Sequence, residues 1–388
     1  NYSAVYGYGG GIFAEACNVD ITDSLVSSNY ADSGGGIYLS PYSSLSVTGS
    51  TFYGNESNKS GGAIKTLSAI VDVRSSTFSN NIGAKTSSVL VDNTPEVYSG
   101  GAIYIAGPYG STVSISNSTF SDNVSFGYGG AISVLNVTST AITNSRFLYN
   151  ASGGNGAAAY VYNGGDTSIS KSSFNHSTGN LTVGALYLAT DSGEDISLSS
   201  VTIANNYSAD IAGGAYFKGF DTVTIANSTI SSNSSDSAGS GIYLGLNLTS
   251  VTILKSTLVN NDSSGGSPNL YATTGLPELT LSNSILSGST VDECTFAGGD
   301  PVSFTYANNW VEDDSCTGIA SGSADISDLI KLSATAYGHT PHGNALLKGG
   351  DPTISVHWTT ILILMYLEQP TETWSLRQFK RAGFGSTK

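Results

Sequence analysis

One apolar position recurs through most of this chain at intervals of 26 to 29 residues, with a single longer interval of 42. The position is occupied by Val26, Phe52, Phe78, Phe120, Phe147, Phe174, Ile203, Ile230, Leu258 and Leu286. A repeat of this length is typical of supersecondary units that stack on one another, each contacting only its neighbours. Most of the 388 residues are therefore expected to form one elongated domain.

Each repeat predicts three short β-strands. In the repeat around Phe120, Val113 and Ile115 alternate with serines, a second segment carries Ser118 and Phe120, and a third follows Gly129–Gly130. Alternating apolar and small polar residues indicate strands, and the repeat has no helical period. The sequence therefore predicts an all-β parallel β-helix of about ten coils, roughly 48 Å long at about 4.8 Å per coil.

The repeat divides the chain into three parts. Residues 1–290 are expected to form the β-helix, with one insertion at 83–99. The register is lost from Ser287, so residues 291–354 are expected to cap strand edges that would otherwise be exposed. Residues 355–388 form an atypical tail whose apolar run of nine residues is too short to cross a bilayer. The first residues resemble the end of an earlier coil, so we expect a processed or incomplete chain.

The charge and the cysteine content limit which partners and which cellular compartment are compatible with this chain. Only 11% of the residues are charged and the net charge is −15, which disfavours binding to nucleic acid or anionic lipid. The sequence has no signal peptide and no apolar run long enough for a membrane span. In an extracellular setting Cys294 and Cys316 would close a loop outside the repeats, leaving Cys17. Cys17 is expected to be a buried thiol, or else to form an intermolecular bond or to pair outside this chain.

An asparagine follows the recurring apolar position by three residues in most repeats. Stacked asparagines can hydrogen-bond to the backbone and to each other from coil to coil, and Asn tolerates the left-handed conformation of tight bends. The predicted ladder comprises Asn29, Asn55, Asn81, Asn123, Asn150, Asn206, Asn233 and Asn261.

Many asparagines, including six of this ladder, also lie in Asn-x-Ser/Thr sequons. A buried ladder amide cannot carry a glycan, so N-linked glycans are expected on sequons outside the ladder. The predicted glycan positions are Asn58, Asn117, Asn136, Asn180, Asn227 and Asn247.

The outward positions of the predicted strands carry mainly Ser and Thr rather than clustered acids. Polysaccharide-cleaving β-helices need carboxylates and a base on one face, and the best remaining pair is Asp72 with Arg74, which is also a common surface ion pair. His339 with His342 and the pair 313–314 are weaker metal candidates. We therefore predict no catalytic residue, no metal, no cofactor and no enzymatic activity.

Two families share motifs with this chain. The GGAI segments at 61–64, 100–103 and 129–132, and the FxxN segments such as 52–55, resemble repeats of chlamydial polymorphic outer-membrane proteins. Residues 283–347, including Cys294 and Cys316, resemble the closing module of right-handed parallel β-helix proteins with a choice-of-anchor terminus, but the match ends at Leu347. These resemblances imply a right-handed β-helix that is secreted or displayed on a cell surface and is mostly non-enzymatic.

Four functions are compatible with these features. The leading hypothesis is a secreted, glycosylated protomer of an extracellular filament or surface appendage, associating end to end or with other surface proteins. The second is a surface adhesin, with the insertion at 83–99 as the first place to look for a binding site. The third is a polysaccharide lyase or hydrolase, and the fourth is ice binding by outward threonine rows such as Thr51, Thr77 and Thr119.

Overall fold

A computed structural model of the chain describes residues 7–67, 70–85, 99–107, 110–263, 266–273, 275–307, 309–311, 313 and 315–317. All the regular structure in these ranges is β-strand apart from one 3-10 turn, Ser315–Thr317. Three sheets of eleven parallel strands run along the molecule, and a fourth sheet has nine strands of two residues each. The predicted parallel β-helix of about ten coils is confirmed.

Each coil contributes one strand to each of the three main sheets in chain order, and the first nine coils also contribute one to the fourth. The first sheet, which follows the glycines, comprises Ile12–Ala14, Ile37–Leu39, Ile64–Thr66, Ile103–Ala106, Ile132–Leu135, Ala159–Tyr162, Leu186–Ala189, Ala215–Lys218, Ile242–Leu244, Leu270–Ala272 and Cys294–Phe296. The second comprises Asn18–Thr22, Ser44–Thr48, Ile70–Arg74, Thr112–Ser116, Ser139–Thr143, Asp166–Ser170, Asp195–Ser199, Thr222–Ala226, Ser250–Leu254, Glu278–Ser282 and Ser303–Ala307.

The third and fourth sheets complete the coil. The third comprises Leu25–Ser27, Thr51–Tyr53, Thr77–Ser79, Thr119–Ser121, Arg146–Leu148, Ser173–Asn175, Thr202–Ala204, Thr229–Ser231, Thr257–Val259, Ile285–Ser287 and Trp310–Val311. The fourth comprises Tyr30–Ala31, Glu56–Ser57, Ile82–Gly83, Val124–Ser125, Ala151–Ser152, Thr178–Gly179, Tyr207–Ser208, Ser234–Ser235 and Asp262–Ser263. Its strands are too short to show a sequence period, so they were not predicted.

The recurring apolar position forms a column through the core. Phe78 pairs in register with Phe52 and with Phe120, so the 42-residue interval does not shift the pairing. The five phenylalanine rings stack face to face with centroids 4.6 to 4.9 Å apart. Burying about 150 Å² or more of each ring makes this column a large apolar contribution to stability.

The glycine pairs bring neighbouring coils close together. Gly129 has φ +63°, in the left-handed region that favours glycine. A Cβ atom on Gly101 would lie 1.9 Å from the carbonyl oxygen of Gly130 in the next coil, a distance that no side chain tolerates. The glycines therefore permit both the bend and the approach of one coil to the next.

Two predicted boundaries need correction. The solenoid does not stop at residue 290, because the strands Cys294–Phe296, Ser303–Ala307 and Trp310–Val311 extend the three main sheets by one coil. That coil was missed because aromatic residues replace the aliphatic pair of the second sheet. At the predicted 83–99 insertion, Gly83 still belongs to a strand, and residues 86–98 lie outside the described part. The rest of the predicted cap from 318 and the tail 355–388 lie outside it too.

No helix among the described residues is long and apolar enough to cross a membrane.

Candidate functional site

The asparagine ladder is a buried row in which the nitrogen and the oxygen of each side-chain amide can form hydrogen bonds. Asn55 Nδ2 donates to Asn81 Oδ1 at 3.0 Å and to the carbonyl oxygen of Val26 at 2.9 Å. Asn81 Oδ1 also accepts the backbone N–H of Asn55 at 3.0 Å. Both amide hydrogens and the amide oxygen are thus satisfied, which removes the cost of burying a polar side chain.

The ladder has one interruption. Ser177 stands where the repeat places an asparagine, and its buried hydroxyl has no hydrogen-bond partner. The Ser177 backbone N–H still donates to Asn206 Oδ1 at 2.8 Å, so the row resumes in the next coil. The interruption therefore leaves the backbone register intact and removes the side-chain hydrogen bonds that an asparagine here would make with Asn150 and Asn206.

The ladder also extends beyond the predicted asparagines. Asn261 donates to Asn269, and Asn269 Nδ2 donates to the carboxylate of the buried Glu293. The other Glu293 oxygen accepts the backbone N–H of Ser289 at 3.1 Å. A carboxylate only accepts hydrogen bonds, so it ends a row in which each amide donates toward the next coil. This end of the ladder could not be predicted because Asn269 lies eight residues after Asn261 rather than one repeat away.

A second buried row consists of serines at the bend between the second and third sheets. Ser76 Oγ accepts the backbone N–H of Ser50 at 3.1 Å and donates to the Arg74 carbonyl oxygen at 2.7 Å. The same arrangement recurs at Ser118, Ser145, Ser172, Ser228, Ser256 and Ser284. In the sequence, this row is marked by a Ser two residues before the recurring apolar position.

A third row, of tyrosines, lies on the outer face of the first sheet. Ring centroids 4.7 to 5.5 Å apart link Tyr128, Tyr160, Tyr187, Tyr216, Tyr243 and Tyr271. Lys65 lies between Tyr38 and Tyr104, with its Nζ 5.8 and 5.5 Å from their ring centroids. The rings therefore contact one another mainly through their faces. In the sequence, most of this row is marked by a Tyr directly after the apolar residue that begins a strand of the first sheet.

Two tyrosines in this row have a pKa above that of an exposed tyrosine. Burial, followed by the charge of neighbouring Tyr243, raises the pKa of Tyr216 above its ordinary value of 10.0. The same two causes raise the pKa of Tyr271. Outside the row, the hydrogen bond from Tyr207 to the Asp236 carboxylate raises the pKa of Tyr207.

Cys294 and Cys316 are joined by a disulfide that links the last strand of the first sheet to the 3-10 turn. The bond therefore lies within the last coil of the solenoid rather than in a separate cap. Cys17 is a free cysteine and is exposed, so the expectation of a buried thiol is wrong. Its position before Asn18–Thr22 places it at a bend, which the apolar pattern could not reveal.

The six sequons predicted to carry glycans lie at bends. Asn117, Asn136, Asn180, Asn227 and Asn247 are exposed, whereas Asn58 is half-buried and its Oδ1 accepts the Tyr30 hydroxyl at 2.8 Å. The eight ladder asparagines are all buried. Glycosylation at the six positions stays a prediction.

Asp72 and Arg74, the candidate catalytic pair, form an ion pair on the second sheet. Two nitrogens of the Arg74 guanidinium contact the Asp72 carboxylate, at 2.6 and 3.0 Å. The two groups therefore neutralise each other's charge and use each other's hydrogen-bonding atoms. In the part of the chain that the structure covers, no three His, Cys, Asp or Glu side chains come together as a metal site. Asp313 instead hydrogen-bonds Glu293 and Ser315, while 314, His339 and His342 lie outside the described residues.

The outward threonines follow the predicted row on the third sheet. Thr77 pairs with Thr51 and Thr119, but Thr119 pairs with Arg146, which interrupts the row. Beside Arg146 a groove of about 530 Å³ crosses four coils along the bend between the second and third sheets. It is lined by polar side chains that include Asn117, Asn144 and Lys171.

A family described as the right handed beta helix region matches residues 130–327, just over half of the chain. The chain belongs to this family. Comparisons with curated proteins and with solved structures give no match.

As a right-handed β-helix, the protein places its Asn, Ser and Tyr rows at fixed positions around the coil, with the groove along four of the coils. The Asn and Ser rows lie inside two successive bends, the Tyr row lies on the outer face of the first sheet, and the groove lies outside the serine bend. The arrangement can hold a rod straight and present polar groups at regular intervals along its side.

Proposed function

We propose that this β-helix is a non-enzymatic structural protein outside the cell or on its surface, acting as the protomer of a filament or appendage. The observation that carries the proposal is the stacking of buried phenylalanine, asparagine and serine rows through coil after coil. Each row adds packing or hydrogen bonds along the axis, so bending the rod would strain several rows at once.

The outer surface supports this role. The outward positions of the second and third sheets are dominated by Ser and Thr, and five of the six predicted glycan positions are exposed at bends. The GGAI and FxxN motifs, which resemble those of chlamydial surface proteins, favour the same location. Glycopeptide mass spectrometry is expected to find glycans at positions such as Asn117 and Asn136, and none at ladder residues such as Asn123.

The assembly we propose is end to end, since parallel sheets grow by adding strands at their edges. Negative-stain microscopy of the native material should show filaments, and fibre diffraction should give a repeat of about 4.8 Å along the axis. Light scattering should show a mass that increases with protein concentration. A single monomeric species over the whole concentration range, without filaments in native material, would contradict the proposal.

A surface adhesin is the second candidate, and the groove beside Arg146 is the observation that favours it. A polysaccharide lyase or hydrolase has less support, because the Asp72 and Arg74 side chains bond each other. Incubation with polygalacturonate and alginate is expected to release no products. Product release that is lost in Arg74→Ala would replace the structural proposal with an enzymatic one.

A further inference from the structure

The edge between the second and third sheets has a charge opposite to that of the whole protein. The chain has 29 acidic and 14 basic residues. We define the basic edge as the segments that cross this bend in six successive coils, at 114–121, 141–148, 168–175, 197–204, 224–231 and 252–259. These segments contain no Asp or Glu, and their charged residues are Arg146, Lys171 and Lys255.

These three cations differ from Lys59 and Lys85 in having no acidic partner among the described residues. Lys59 is bonded to Asp32 and Lys85 to Glu56, so their charges are already compensated. Arg146, Lys171 and Lys255 are exposed, and no described acidic side chain lies within ion-pair distance of them. Their donors therefore face solvent.

Arg146 and Lys171 line the same groove from adjacent coils. Arg146 pairs in register with Ser173, two residues after Lys171, so the two cations lie diagonally across neighbouring strands. The groove spans three coil spacings, roughly 14 Å, along the rod axis.

Neutral hydrogen-bonding groups surround the two cations. Asn117 and Asn144 line the groove, and Asn144 Nδ2 donates to Asn117 Oδ1 at 2.6 Å, which orients both amides. Thr119, Ser173 and Thr202, which carry hydroxyls, also line the groove. Amides and hydroxyls act as donors and acceptors toward sugar hydroxyls, while Arg and Lys favour carboxylate or sulfate groups.

We propose that the basic edge binds an anionic polysaccharide, one bearing carboxylate or sulfate groups, whose chain lies along the rod axis. Arg146 and Lys171 bind its acidic groups, and the flanking amides and hydroxyls bind its ring hydroxyls. Lys255 lies three coils beyond Lys171 and offers a further contact to a longer chain.

A polysaccharide fits this edge better than a nucleic acid. Double-stranded DNA carries one charge per roughly 1.7 Å of its axis, whereas the groove offers two cations over roughly 14 Å. Single strands are usually held by exposed aromatic rings, and the only aromatic residues in the six segments, Phe120, Phe147 and Phe174, are buried in the core. At physiological salt, acids more than about 8 Å away are largely screened, so the net charge of −15 does not prevent binding.

This inference goes beyond the structural role and does not depend on filament formation. A rod that binds an acidic matrix polysaccharide along its side would be anchored laterally, whether or not copies join at their ends.

Calorimetric titration of the full chain tests the proposal with four probes: a sulfated heparin oligosaccharide, an oligogalacturonate, a neutral malto-oligosaccharide and single-stranded DNA. The titrations are made on the native protein and on protein produced in a host that adds no N-glycans, because Asn117 is a predicted glycan position and enzymatic release would convert a glycosylated Asn117 to aspartate. At least one acidic oligosaccharide should bind, and which one binds separates sulfate from carboxylate recognition. The neutral sugar should not bind, and DNA should bind at least tenfold more weakly.

Variants identify the groove. Arg146→Gln and Lys171→Gln should each weaken binding about tenfold, because each removes a charge-assisted hydrogen bond. Lys218→Gln is the matched control, since it removes one cation from the first sheet, and binding should stay within about twofold. Circular dichroism verifies that all three variants fold.

Three results would overturn the proposal. One is that neither acidic oligosaccharide binds in the glycan-free protein. Another is that Arg146→Gln and Lys171→Gln bind as well as Lys218→Gln does. The third is DNA binding of equal strength, which would show a non-specific cation effect.

Discussion

At the scale of single residues, the ladder shows that a buried polar side chain is stable only when its neighbours match it. Asn55 satisfies its amide because the next coil also supplies an amide, in Asn81, at the same position. Ser177 is too short to reach either neighbour, so its hydroxyl is buried without a partner. Because buried polar groups without partners are costly, position 177 is the weakest point of the ladder.

Replacing Ser177 with asparagine is expected to complete the row. The new amide would accept from Asn150 and donate to Asn206, so the free energy of unfolding should rise by about 1 kcal/mol. Chemical denaturation measures the change. Ser177→Ala is the control, since it removes the unpaired hydroxyl without restoring the row. An asparagine variant no more stable than the alanine variant would show that the ladder bonds add nothing at this position.

At the scale of elements, stacking places identical groups close together, and this affects their ionisation. In the tyrosine row, burial and the nearness of Tyr243 make the Tyr216 phenolate unfavourable in the folded state, which raises the pKa of Tyr216. The folded protein therefore retains this proton at a pH where the unfolded chain loses it. Stability is unaffected below about pH 10 and falls as the pH rises from there through the folded-state pKa.

Tyr216→Phe is expected to reduce this loss of stability at alkaline pH. Phenylalanine keeps the ring stack but cannot ionise, so the free energy of unfolding should fall less steeply above about pH 10. Urea denaturation at a series of pH values measures the slope. Tyr42→Phe serves as the control, because Tyr42 is exposed and lies outside the row. Equal slopes in the two variants would mean that the row does not resist ionisation.

At the scale of the whole molecule, each coil contacts mainly its two neighbours, so stability is distributed locally along the rod. The apolar column from Phe52 to Phe174 supports the middle coils, while the last coil has the disulfide between Cys294 and Cys316. In such a solenoid, a perturbation at one end propagates only weakly to distant coils.

Removal of the disulfide in Cys294→Ser/Cys316→Ser should therefore destabilise one end of the rod only. A cross-link closing a loop of 22 residues contributes about 3 kcal/mol. Hydrogen exchange should accelerate in residues 294–311 and remain unchanged in the strand Thr119–Ser121. Cys17→Ser, which removes a free exposed thiol, should leave both regions unchanged. Faster exchange throughout the molecule in the double variant would show that the coils unfold as one unit.

How much of this could be predicted from sequence depended on whether a feature repeats. The core position of Phe120 and the register of the asparagines recur in coil after coil, and stacked coils place equivalent residues over one another, so both could be inferred without coordinates. The last coil, the two-residue strands and the link from Asn261 through Asn269 to Glu293 repeat too weakly for such an inference.

The repeat, the inward and outward faces of its strands and the overall excess of acids follow from the amino-acid sequence, because these are local or additive properties. The groove shared by Arg146 and Lys171, the exposure of Cys17 and the continuation of the solenoid past residue 290 are evident only in the folded molecule. These features depend on how far the chain turns at each bend and on which coils lie side by side, and neither follows from the order of residues within one repeat.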